Sequence, residues 1–126
     1  EYEWATDGGA APAVDAGTLA DAVWQLTTQS QTALVGLNDK SVIGKGMIWS
    51  RNPDGTSNPP ATSYQDSHLP QHYSEGYLIG VETIYLGGYA GEGWAETSDL
   101  TFNIVLECRV ESLTEKAAMA LALSQQ

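Results

Sequence analysis

The stretch Leu100–Val110, LTFNIVLECRV, has the clearest periodicity in the chain. The positions on one side of it are apolar, namely Leu100, Phe102, Ile104, Leu106, Cys108 and Val110. The positions between them are mostly polar, namely Thr101, Asn103, Val105, Glu107 and Arg109. A period of two is typical of a strand with one buried face and one solvent-facing face. We therefore expect a core strand in which Cys108 is a small buried residue.

The residues after this strand predict a helix. Ser112 and Glu115 have the spacing of a capping box, and the helix should continue through Ala117–Leu123. A helix that directly follows a strand can fold back over the apolar face of that strand. We expect this strand and this helix to form the central unit of the fold.

A second helix is predicted near the N-terminus, from about Leu19 to Leu34, with Thr18 or Asp15 as its N-cap. Its stripe of mostly apolar positions has spacings of three or four residues, as a helix requires. The positions of this stripe are Leu19, Val23, Leu26, Ser30, Ala33 and Leu37.

Two further strands are predicted at Ser41–Trp49 and Gly76–Leu86. Gly44 and Gly46 lie on one face of the first strand and permit a close backbone approach or leave a groove. The second strand is largely apolar on both faces, which is typical of a central strand. The polar residues 51–75 between them should form a long irregular loop, and the glycine-rich residues 87–96 should form a turn.

This order of elements predicts an α+β protein. A small, mostly antiparallel sheet would carry the N-terminal and the C-terminal helix on one face. Residues 1–16 should form an N-terminal arm, and residues 17–126 a single domain. Tyr2 and Trp4 in the arm either pack on the protein's own surface or dock on a neighbouring subunit, since exposed aromatic anchors are enriched at interfaces.

The charge of the chain excludes several kinds of partner. Its 126 residues include 5 Lys and Arg against 16 Asp and Glu, which gives a net charge of −11. Such a chain repels phosphate groups, so we expect neither sequence-specific nucleic-acid binding nor membrane binding. The sequence also has no apolar run long enough for a membrane-spanning helix. It begins with Glu1 rather than Met, so we expect processing or truncation upstream.

We predict no metal site, no cofactor and no catalytic residue. The one cluster with metal-ligand residue types is Asp66, His68, His72 and Glu75. Pro70 lies between the two histidines and prevents a helix that would place them on one face. A solvated loop is therefore the expected state of this cluster.

Glu82 is the other residue that invites a catalytic interpretation, because it lies within an apolar strand face. An ordinary cross-strand pair with Arg109 or Lys45 is the simpler explanation. A single carboxylate without a partner base makes a weak catalytic site. We therefore expect the protein not to be an enzyme.

Three stretches together resemble the small tail-terminator and tail-completion proteins of tailed bacteriophages. They are the apolar-striped helix at Leu19–Gly36, the amphipathic strand at Leu100–Val110 and the closing helix at Ser112–Leu123. The resemblance implies a ring-forming virion protein at the head–tail junction. In such rings an acidic inner surface lets DNA slide through, which suits a net charge of −11.

We therefore expect a non-enzymatic structural protein of the virion, either a tail terminator or another tail or capsid component. It would form a homo-oligomeric ring or lattice and contact other virion structural proteins. The candidates for subunit contacts are Tyr2, Trp4, Tyr64, Tyr73, Tyr89, Trp94, Glu107 and Arg109.

Two alternatives stay open. The first is an extracellular or surface binding module that stacks glycans on aromatic side chains near loops and strand ends. Those side chains are Trp49, Tyr64, Tyr73, Tyr89 and Trp94. The second alternative is a small α+β enzyme or ligand-binding domain centred on Glu82 and the two histidines.

Overall fold

A computed structural model describes residues 2–5, 14–53, 61–67, 76–94 and 100–125. These residues form the strands β1 (Tyr2–Ala5), β2 (Thr18–Thr27), β3 (Val42–Asn52), β4 (Ala61–Ser67), β5 (Tyr85–Ala90) and β6 (Thr101–Ile104), and the helix α1 (Glu115–Ser124). The described part of the chain is thus mostly β. The prediction of an α+β protein with an N-terminal and a C-terminal helix packed on a sheet is wrong.

The strands form two sheets. One pairs β1 with β6 in antiparallel fashion, and the other has the strand order β4-β3-β2-β5. The chain divides into two compact units. Unit 1 comprises Glu1–Ala22, Met47–Gln65 and Ala90–Arg109, and unit 2 comprises Val23–Gly46, Asp66–Tyr89 and Val110–Gln126.

The predicted helix at Leu19–Leu34 is wrong, because its first half is the strand β2 and its second half belongs to no helix or strand. Residues 22–27 of β2 are all buried, as is typical of a strand that is covered on both faces. Val23, Trp24 and Thr27 also have residue types that favour strands. The helical spacing is accidental, because Leu19 is 60% exposed whereas Val23 is 9% exposed.

The strand predicted at Ser41–Trp49 is confirmed as β3. It forms an antiparallel hairpin with β2, since Gly17 N donates to Asn52 O at 2.6 Å and Thr28 N donates to Ser41 O at 2.8 Å. Within unit 2, the Trp24 indole lies against Gly44 and Gly46. A Cβ atom would be 3.2 Å from Trp24 Cη2 if added to Gly44, and 2.9 Å from Trp24 Cε2 if added to Gly46. Of the two expectations for these glycines, the groove is the one observed, and it is filled by a side chain rather than by another backbone.

Side-chain hydrogen bonds fasten the loop between β2 and β3. Gln25, 3% exposed, donates through Nε2 to Ala33 O at 3.0 Å and accepts from Val35 N at 2.9 Å. Asp39 Oδ1 accepts from Ser41 Oγ at 2.7 Å and from Ser41 N at 2.8 Å. The hydrogen bond from the Ser41 side chain is the main cause of a lowered pKa of Asp39, and the bond from the Ser41 backbone adds to it. The resulting stabilisation is present above the ordinary carboxyl pKa and is lost as the pH falls through the lowered pKa.

The predicted central strand at Gly76–Leu86 is wrong. Residues 76–84 belong to no strand, and β5 begins at Tyr85 and continues through Gly87 and Gly88, where we expect a turn. β5 is also the last strand of its sheet rather than a central one. The backbone of β2 needs hydrogen-bond partners on its second side, and β5 supplies them.

The strand predicted at Leu100–Val110 is only partly formed. β6 ends at Ile104, which pairs with Tyr2, the first residue of β1. Trp4 packs on Phe102 with 4.9 Å between the ring centroids, and Thr101 Oγ1 donates to Ala5 O at 2.7 Å. Trp4 is 8% exposed. Its side chain therefore packs on the protein itself, which is the first of the two alternatives for this residue.

The predicted C-terminal helix is confirmed as α1, but two details differ. Its N-cap is Thr114 rather than Ser112, since Ala117 N donates to Thr114 Oγ1 at 3.3 Å. The helix contains no buried residue, so the expectation that it covers the apolar face of the preceding strand is wrong. No helix in the described part of the chain is both long and apolar enough to cross a membrane.

The predicted irregular loop over residues 51–75 is also wrong in part. β3 continues to Asn52, and β4 occupies Ala61–Ser67 beside β3. Residues 54–60 and 68–75 lie outside the described residues. The chain therefore returns to the sheet within a stretch whose polar composition gives no periodic signal.

Candidate assembly surfaces

The outer surface of α1, which belongs to unit 2, is apolar and exposed. Met119 is 62% exposed and Leu123 is 68% exposed. They are four residues apart and therefore lie on the same face of the helix. From Ala117 to Ser124 the helix has no charged residue. An apolar surface of this kind on a helix is normally covered by other protein.

The C-cap residue Gln125 and the neighbouring Leu121 fix α1 in place. Gln125 is 5% exposed. Its side-chain amide accepts from Gly80 N at 2.7 Å and donates to Leu78 O at 2.6 Å, as a peptide group of a paired strand would. Leu121 lies directly over Gly80. These contacts occupy the inner face of the helix, so Met119 and Leu123 lie on its outer face.

Gln125→Glu should lower the free energy of unfolding by about 2–3 kcal/mol at pH 7, because a buried carboxylate oxygen would then face the Leu78 carbonyl. The introduced carboxyl would have a raised pKa in the folded protein. The loss should therefore shrink as the pH falls from 7 toward the unfolded value of about 4.3. Urea titrations followed by circular dichroism at pH 7 and at lower pH would measure it.

The matched control for this substitution is Ser124→Glu, which adds the same charge at the exposed neighbouring position. It should cost no more than about 1 kcal/mol, the effect of an unfavourable charge in the last turn of a helix. Equal losses for the two variants would show that the amide of Gln125 does not hold the helix.

Residues Val105–Thr114 connect β6 to α1 and belong to no helix or strand. Val105 is 68%, Leu106 48% and Val110 100% exposed. Cys108 is exposed as well, so the prediction that it is a buried core residue is wrong. The apolar side of the predicted strand is thus at the surface from Leu106 onward.

β5 has a similar surface. It is an edge strand with β2 as its one neighbour among the described strands. Tyr85 is 41%, Leu86 51% and Tyr89 54% exposed. The strand contains no charged residue and no proline. Natural edge strands usually carry such residues to prevent pairing with other chains.

The predicted contact residues that the structure describes differ in exposure. Tyr89 is exposed on β5, and Glu107 and Arg109 are exposed on the segment after β6. Trp4 is buried, and Trp94 Nε1 donates to Asp21 O at 3.0 Å. Tyr73 lies outside the described residues, and the side chains of Tyr2 and Tyr64 are not among those described.

Trp49 lines a shallow depression in unit 1. The depression has a volume of about 650 Å³ and is lined by Gly17, Thr18, Leu19, Trp49 and Arg51. An indole face beside a guanidinium group and a hydroxyl group can stack on a flat or polar ligand. Of the aromatic residues expected to bind glycans, Trp49 is the one that lines this depression.

The other sequence candidates contribute no site in the described part of the chain. His68, His72 and Glu75 lie outside it, and among the described residues no group of three or more His, Cys, Asp or Glu could hold a metal ion. Glu82 is exposed rather than enclosed in an apolar face. Lys45, one of its expected partners, donates through Nζ to Val35 O at 2.8 Å.

The sequence reasoning missed Met119 and Leu123 as surface residues, although a signal for them exists. The run AAMALAL at 117–123 has no polar residue on any side, whereas a helix that covers one face of a sheet should alternate apolar and polar faces. The β5 surface has no comparable signal, because its two glycines indicate a turn.

Comparison with known proteins finds no match for this chain among protein-family models, curated proteins or solved structures. The function is therefore inferred from the residues themselves.

Proposed function

We propose that the protein is a non-enzymatic structural subunit that assembles with copies of itself into a ring or lattice, as a tail or capsid component of a virion. The observation that carries the proposal is the exposed apolar surface of α1. Burial of each large apolar side chain stabilises an interface by about 1.5–3 kcal/mol. Met119 and Leu123 are both available for such burial.

The placement of hydrophobic residues supports the same proposal. Leu26 is the one leucine that is buried in the described part of the chain, and the buried core consists mainly of residues from β2 and β3. Leucine is normally among the most buried residue types. A subunit that keeps most of its leucines at the surface is typical of a protein whose surfaces become interfaces.

The charge distribution favours contacts at α1. Copies with a net charge of −11 repel one another. The charged residues of the helix, Glu115 and Lys116, are confined to its first turn and have opposite signs. A contact made through the rest of the helix brings no like charges together, so two copies can approach at α1 with little local repulsion.

The virion setting rests on the resemblance, of which the closing helix is present as α1 and the strand at Leu100–Val110 is formed only as far as Ile104. The third stretch of that resemblance, Leu19–Gly36, forms no helix. An electron micrograph of the purified protein tests the virion setting most directly. Rings or regular particles are the expected result.

Met119→Glu should convert the oligomer to monomers in multi-angle light scattering. The dissociation constant of the subunit contact should rise at least about 100-fold, because an apolar contact is lost and a charge would be buried in its place. Met119 is 62% exposed in the subunit, so the free energy of unfolding of the monomer should change by less than about 0.5 kcal/mol.

The control is Leu34→Glu, which introduces the same residue at a 39% exposed leucine in the loop after β2. It should leave the molar mass unchanged. A wild-type protein that is monomeric at every concentration would refute the proposal. An oligomer that Met119→Glu leaves intact would remove α1 from the contact.

A further inference from the structure

We infer that the open edge of β5 is extended by a strand from a second copy of this chain, formed by Val105–Val110. This inference rests on the proposed self-assembly and names a second surface that takes part in it. The occupant is a defined segment, and the mode of binding is addition of a strand to a sheet edge, in which backbone hydrogen bonds give the affinity.

The acceptor is suited to strand addition. β5 stands at the end of the order β4-β3-β2-β5, so one of its two sides faces β2 and the other has no strand among the described residues. Proteins usually block such an edge with lysine, proline, a bulge or a covering element. β5, YLGGYA, has neither a charged residue nor a proline. Tyr85, Leu86 and Tyr89 add exposed side chains that an incoming strand would cover.

The donor has the strongest strand pattern in the sequence but is not a strand in the subunit. Its residues alternate between apolar and mostly polar types, with Leu106, Cys108 and Val110 on one side. All its residues are exposed, and Val110 is 100% exposed. Such a conflict between local preference and observed structure is typical of functional segments. Pairing with β5 of another copy resolves it, since Val105–Val110 has the same length as the 6 residues of β5.

Charge supports this pairing between two acidic copies. The residues from Thr83 to Gly91 carry no charge, and the acidic residues Glu82 and Glu92 flank them on either side. The donor contains Arg109, one of only 5 Lys and Arg in the chain. The donor also contains Glu107, so its two charges cancel and it brings no net charge to the uncharged edge of another acidic copy.

Disulfide trapping between two different chains tests the inference, because Cys108 is the single cysteine of the sequence. Wild-type protein would be mixed with Cys108→Ser chains that carry one new cysteine on β5, as Tyr85→Cys, Leu86→Cys, Tyr89→Cys or Ala90→Cys. These four positions are exposed. After oxidation with diamide, covalent heterodimers would be counted by non-reducing electrophoresis. Leu19→Cys in the Cys108→Ser chain is the control, since Leu19 is 60% exposed but lies outside β5.

The expected result is a heterodimer yield that alternates along β5. A disulfide requires Cα atoms within about 7 Å of each other, and successive side chains of a strand point to opposite faces. The pair Tyr85 and Tyr89 or the pair Leu86 and Ala90 should therefore react with Cys108, and the other pair should not. Leu106→Pro in the chain that carries Cys108 should lower the heterodimer yield about tenfold, because proline removes a ladder hydrogen bond and fits poorly into a strand.

Each other outcome overturns the inference in a distinct way. A protein that is oligomeric in light scattering but gives no heterodimer above the Leu19→Cys level refutes strand addition and leaves the proposed function standing. Covalent dimers within the β5 cysteine chains alone would mean that two β5 edges pair with each other. Equal yields at all four positions would indicate chance encounters, and a strict monomer would refute the assembly as well.

Discussion

Trp24→Ala should lower the free energy of unfolding by about 3–5 kcal/mol, the range for removal of a buried aromatic side chain. Trp24 is 7% exposed, and its indole fills the space above Gly44 and Gly46. These glycines have no side chains that could move into the cavity, so the cost should lie toward the upper part of that range. Urea titration followed by far-ultraviolet circular dichroism would measure it.

The reciprocal substitution is Gly46→Ala, which should cost about 1–3 kcal/mol because its Cβ would overlap the indole. Gly44→Ala is the graded control and should cost less, since its Cβ would be 3.2 Å from Trp24 Cη2. In the Trp24→Ala background, Gly46→Ala should cost almost nothing, because the two positions are coupled through one contact. Strictly additive losses would contradict this packing.

The sequence patterns identified β3 and α1 because local chemistry decides both. Both patterns depend only on residues that are close together in the sequence. They are the glycines at positions 44 and 46 and the helix-forming run at 117–123. β2 could not be identified in this way. Its residues 22–27 are all buried, and a continuously buried strand loses the alternation that distinguishes it from a helix.

The segment Leu100–Val110 shows a different limit of sequence reasoning. Its alternation indicates a preference for strand structure, but it contains no information on which backbone supplies the hydrogen-bond partner. In the subunit β1 supplies one only as far as Ile104. The error lies in assigning the apolar side of Leu106–Val110 to the core of the same chain. The same alternation is satisfied equally well by a strand from another copy.

The candidate surfaces were predictable to unequal degrees. The apolar circumference of α1 is visible in the sequence once the absence of a polar face is noticed. The β5 surface is not, because Gly87 and Gly88 are turn residues by composition, and only the position of β5 beside β2 makes them part of a strand. Sheet neighbours are tertiary information, and strand preference depends strongly on them.

Gly93→Ala should lower the free energy of unfolding by about 2–5 kcal/mol, combining a disallowed backbone conformation with a backbone clash. Gly93 has a φ of +98°, and an added Cβ would be 2.6 Å from Leu19 O. The residue cannot move away, because its carbonyl accepts from Asp15 N at 3.0 Å and from Thr18 Oγ1 at 3.3 Å. Relief of the clash would break these hydrogen bonds in unit 1.

Gly17→Ala separates the two causes. Gly17 has a φ of +73° but has no atom within 4 Å of the added Cβ, so its cost should be the conformational part alone, about 1–2 kcal/mol. The further decrease in the free energy of unfolding of Gly93→Ala, beyond that of Gly17→Ala, measures the clash with Leu19 O. Both variants would be compared by urea titration followed by circular dichroism. Equal losses would mean that the 91–94 turn does not hold Gly93 against β2, and that the left-handed backbone alone requires glycine there.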